Sequence, residues 1–108
     1  MSSNLLPLYH KLLREYDKVL NLTDKLIYAM QTKETEENIN LLLDQRLRVT
    51  QTIQKMTRGL HDFSPSDSER VEPQIIEQLK SIHLKLEEKA SLLEKKEKEL
   101  ERLAEDLN

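Results

Sequence analysis

The chain has no cysteine and no tryptophan, one glycine, three prolines and one phenylalanine in 108 residues. Each scarcity removes a class of protein. Without cysteine there is no disulfide framework and no thiolate nucleophile. A single glycine cannot form a glycine-rich loop around a phosphate. No apolar run approaches the roughly 18 residues that a membrane-spanning helix needs. The opening MSSNLLPLYH lacks the basic start and long apolar stretch of a secretory signal, so a soluble cytoplasmic protein without membrane insertion is expected. Charge of one sign is also missing. The 17 Lys and Arg are spread among 20 Asp and Glu, for a net charge of -3. No basic stripe follows a phosphate backbone, which argues against a nucleic-acid partner.

What remains is 34% charged residues interleaved with apolar ones at helical spacing, the composition of an all-α bundle or coiled coil. A chain of this length forms one domain, residues 1–108, with one modest core. The first helix is expected over about 5–31, capped by Ser3 or Asn4, with Pro7 in its first turn. Its seam is Leu5, Tyr9, Leu12, Tyr16, Val19, Thr23, Leu26 and Met30, and Leu6, Leu13, Leu20 and Ile27 form a second stripe beside it. Two stripes make a face wide enough for two neighbours.

TKETEE then breaks the pattern, and Thr35 followed by Glu36 and Glu37 starts a second helix over about 36–58. Its seam is Ile39, Leu42, Arg46, Val49, Ile53 and Met56, widened by Leu43 and Leu47. Arg58-Gly59 is expected to end it, with Gly59 in the left-handed conformation. Leu60 to Glu72 reads as a loop. A third helix follows over about 70–107, with Pro73 in its first turn and Ser68 as an alternative cap. Its apolar positions are Ile75, Leu79, Ile82, Leu86, Leu93, Leu100, Leu103 and Leu107, a seam of heptad type interrupted by Lys89 and Lys96.

At about 1.5 Å per residue the first two helices span roughly 35–40 Å and the third about 52 Å. Pairing about a short second loop sets Leu79 near Ile53, Leu86 near Arg46 and Leu93 near Ile39. The expectation is therefore an antiparallel three-helix bundle in which roughly 17 Å of the C-terminal helix overhangs. Leu100, Leu103 and Leu107 would then face a partner helix or a second copy of the chain.

No residue set points to catalysis, a cofactor or a metal. The three histidines, His10, His61 and His83, lie far apart and in no ligand spacing. His83 is followed by LKL where phosphorelay domains carry HxxKG, so an ordinary surface histidine is the simpler reading. Arg46 in an apolar seam suggests either a contact to an acidic partner or an internal pair with Glu87 or Glu88. Tyr9 and Tyr16 read as amphipathic core residues, and the Glu–Lys pairs at i,i+4, such as Glu94 with Lys98, as helix support.

The second-helix stretch INLLLDQRLRVTQTIQKM has an apolar pair, Asp-Gln-Arg, and then apolar residues at helical spacing. It resembles the corresponding helix of small flagellar export chaperones of the FliT and FlgN types. The order of parts, from long first helix through polar loop to long charged last helix, is also similar. The short chain is closer to the FliT type, although a separate fourth helix is missing. The resemblance implies a cytoplasmic, non-enzymatic chaperone that holds the amphipathic helical end of a filament-cap or hook-associated protein and delivers it to the export gate. It places partner contacts at Leu43, Arg46 and Leu47, together with Leu42, and groove contacts at Ile76, Leu79 and His83. A self-associating structural or adaptor module, paired through the C-terminal helix as a homodimer, remains open. So does a spectrin-like repeat, against which the absence of tryptophan counts.

Overall fold

The computed structural model describes residues 5–61 and 73–107. They form three helices and no strand: α1 (Leu5–Gln31), α2 (Glu36–His61) and α3 (Pro73–Leu107). The all-α class follows from the apolar spacing. The caps expected at Ser3, Asn4 and Ser68, and residues 62–72 of the expected loop, lie outside the described residues.

The turn between α1 and α2 is built by two caps in succession. The Glu34 N–H donates to the Ala29 carbonyl at 2.9 Å and the Lys33 N–H to the Met30 carbonyl at 3.3 Å. That pair of bonds is a Schellman ending, and Lys33 takes its left-handed position with a φ of 55°. The chain then enters α2 through Thr35, whose Oγ1 accepts from the Asn38 N–H at 3.3 Å. Glu36 and Glu37 in the first turn complement the positive end of the helix dipole.

α2 runs to His61 rather than stopping at Arg58, and Gly59 lies inside it. Gly59 is not in the left-handed region, so it terminates nothing. Glycine is a common helix stop because it tolerates positive φ, but a glycine with helical neighbours on both sides can also continue the helix at a small entropic cost.

α1 is the hub. It packs along both α2 and α3, which approach each other far less closely. Among the described residues, α1 buries Leu12, Glu15, Val19, Leu20, Thr23, Leu26 and Ala29, whereas α2 buries only Ile53 and α3 only Ile82. The two-stripe pattern of α1 thus serves two neighbours. Leu12, Val19 and Ile53 form the centre of the core, with Tyr16, Val49, Met56, Leu86 and Leu93 against them. Glu15 is held at the edge of this core by Lys18, at 3.0 Å.

Two seam lysines mark the register of α3. Lys89 pairs with Asp17 and Lys96 with Asp24, each with an offset of 72 residues. The constant offset means that α1 and α3 run in the same direction. It places α1 opposite residues 77–103, so about one turn of α3 is left free at each end. The molecule's longest dimension, 53 Å, is accordingly the length of the 35-residue α3 alone.

On α2, Arg46 meets Glu97 instead of lying near Leu86, so α3 sits about three turns further along than a tight hairpin would place it. The Arg46–Glu97, Lys89–Asp17 and Lys96–Asp24 pairs are all satisfied together at this offset. Leu100 and Leu103 are consequently half-buried against the chain's own helices and do not project past them. The side chain of Leu107 lies outside the described residues.

Candidate functional site

Arg46 takes a seam position where the spacing calls for an apolar residue, and its side chain spans all three helices. Its Nε–H donates to Thr23 Oγ1 at 3.1 Å, and its guanidinium pairs with Glu97. Thr23 is fully buried and in turn donates to the Val19 carbonyl at 2.6 Å. The network is therefore satisfied internally, and among the described residues no buried side-chain nitrogen or oxygen lacks a partner. Arg46 is thus paired within the chain, and its partner is Glu97 rather than Glu87 or Glu88.

Between Arg46 and the α1–α2 turn, α2 and α3 part. The opening is a groove of about 390 Å³. Its floor is Leu26 and Met30 of α1. One wall is Ile39 and Leu43 of α2, and the other is Leu100 and Ala104 of α3. Arg46 and Glu97 close one end, and Glu101 stands on the α3 rim. Ala104 leaves open the space that a longer side chain would fill. The groove is apolar with a charged border, which suits insertion of apolar side chains. A second depression of similar volume is lined by Asp24, Lys25, Tyr28, Glu34 and Leu42, and its Asp24 is already taken by Lys96.

Leu43, Arg46 and Leu100 of the expected contact residues come together here. Leu47 lies one turn along α2, 54% exposed and outside the lining. Ile76, Leu79 and His83 do not join them, because the register of α3 carries them to the other end of the molecule. There the His83 ring packs edge-on to Tyr9, with centroids 5.0 Å apart. Burial raises the pKa of the Tyr9 phenol. His83 is exposed on its other side, as a surface histidine would be.

The residues missed from the sequence are Leu26, Met30, Ile39, Glu97, Glu101 and Ala104. A signal for part of the site was present, since Thr23 and Arg46 are polar residues on two facing seams. Which α3 residue completes the network depends on a register that apolar spacing leaves free.

Among the described residues no cluster of His, Asp or Glu could hold a metal ion, and no helix is long and apolar enough to cross a membrane. No protein-family model, no curated protein and no solved structure matches this chain.

Proposed function

We propose that this protein is a non-enzymatic binding module that holds an amphipathic helix of a protein partner, in the manner of cytoplasmic flagellar export chaperones. The observation that carries the reading is the apolar groove between Leu43 and Leu100, open to solvent and lined by all three helices. Three helices supply floor and walls, and a fourth helix from outside would complete the layer. An amphipathic helix recognised through a few anchors at i, i+3, i+4 and i+7 fits a groove of this kind. The apolar floor is short and the border charged. Affinity therefore comes from a few inserted side chains, which suits a partner that must later be released. The flagellar identity of the partner rests on the sequence resemblance at residues 39–56 alone.

The test is titration calorimetry of the full chain with the helical ends of the filament-cap and hook–filament junction proteins of the same organism. Stoichiometric binding of one of them, lost in a Leu43→Glu variant that keeps its helical circular dichroism, is the expected result. No binding to any of these segments would overturn the flagellar reading. A concentration-dependent dimer that Leu43→Glu or Leu100→Glu dissolves would favour a self-associating module instead.

A further inference from the structure

α2 and α3 pack against α1 far more than against each other, and one polar contact crosses the cleft between them. Among the described residues, the Arg46–Glu97 pair is the single ion pair or side-chain hydrogen bond that joins these two helices. Its two halves are held unequally. Arg46 is fixed to the α1–α2 hairpin, because its Nε–H donates to Thr23 Oγ1 and the buried Thr23 donates to the Val19 carbonyl. Glu97 bonds only to Arg46 among the described residues, and its side chain is 47% exposed.

α3 is anchored unequally along its length as well. Its N-terminal half is held by burial, with Ile82 covered and Leu86 and Leu93 packed against the core. After Leu93 no described residue of α3 is buried, and Leu100 and Leu103 are half-buried. The ties to the other helices there are Lys96–Asp24 to α1 and Glu97–Arg46 to α2, each with an exposed carboxylate. Ion pairs open to solvent hold far less firmly than buried apolar contacts. Local opening starts where burial is least.

From these two asymmetries we propose that Arg46 and Glu97 form a clasp on a hinged wall. On release, the part of α3 after Leu93 swings away from α2 about its seam with α1, and Arg46 stays in place on Thr23. The consequence for binding rests on the reading of the groove as a helix-binding site. Closed, the pair ends the groove; open, the groove continues along α2 to the exposed Leu47, one turn further on. A partner helix that reaches Leu47 binds the open form better and shifts the population toward it.

The chain has no cysteine, so pairs of introduced cysteines carry spin labels at chosen sites for distance measurement by pulsed electron paramagnetic resonance. Asn40 and Glu105, both exposed, report the groove end of α2 and α3. Lys55 and Glu88, also exposed, report the same two helices on the other side of the clasp. Glu97→Ala removes the mobile half of the pair and suits a helix interior. In this variant the Asn40–Glu105 distance is expected to lengthen by several ångströms and to broaden. The Lys55–Glu88 distance and the helical circular dichroism should not change. An unchanged Asn40–Glu105 distance would overturn the proposal. Lengthening of both distances, or loss of helix, would also overturn it, because the pair would then hold the whole of α3 and not one wall. The distances are read on the free chain, so they decide the clasp whether or not a partner binds. The groove reading stands or falls separately, on titration with the helical segments.

Discussion

A β-carbon added at Gly59 would meet nothing within 4 Å, and the residue is not in the left-handed region. Alanine therefore fits without strain, and it removes conformational freedom from the unfolded chain. Gly59→Ala should stabilise the protein by about 0.5–1 kcal/mol, toward the low end because the residue is in the last turn of α2. A higher thermal midpoint in circular dichroism would show it. A lower midpoint would instead place Gly59 in a left-handed cap, the role its position after Arg58 suggests from sequence. The same limit applies to Arg46. Its presence in an apolar seam shows in the sequence, and so does the need for a partner. Whether that partner is Glu87, Glu88 or Glu97 is decided three turns away, by how α3 slides. Residue identity announces the unusual position, and only the register assigns its role.

Among the elements, α1 and the turn that follows it were the most legible. A two-stripe apolar pattern, the hydroxyl cap at Thr35 and the two acids after it are local features with local causes. The ending of α1 is less legible because it carries no glycine. Lys33 fills a left-handed position that L residues other than glycine, asparagine and aspartate occupy at a cost. The two Schellman bonds to Ala29 and Met30 hold it there. Lys33→Gly should relieve that strain, partly offset by the greater freedom of glycine in the unfolded chain. The net stabilisation should be about 0.5–1 kcal/mol. Urea unfolding followed at a helical wavelength would read it as a higher midpoint with an unchanged slope. A lower midpoint would mean that the Lys33 side chain contributes more to the turn than its backbone costs.

In the whole molecule, one helix serves as hub and two flank it, and apolar burial alone does not fix how the third slides along the first. Among the described residues α3 buries only Ile82, and Lys96 and Glu97 in its C-terminal half pair with Asp24 and Arg46. Lys89 and Lys96 interrupt its apolar seam at the same seven-residue interval that separates Asp17 from Asp24 on α1. In a given direction, matched intervals of opposite charge are both satisfied at one offset, which is how flanking charges select register in coiled coils. The lysines are largely covered, at 27% and 21% exposed, while the aspartates remain 60% and 57% exposed. Each pair is therefore expected to contribute only about 0.2–1 kcal/mol, and selection of register is its larger effect. Asp17→Lys/Asp24→Lys should place like charges against Lys89 and Lys96, lowering stability by about 1–2 kcal/mol at low salt and by less at high salt. Adding Lys89→Asp/Lys96→Asp reverses both partners and should recover most of the loss. If the fourfold variant stays as unstable as the double one, the ladder does not set the register. The placement of Leu100 in the groove would then need another cause. Recovery would tie the groove to the ladder, because the offset that satisfies both ion pairs also carries Leu100 and Ala104 across from Leu26, Met30 and Leu43.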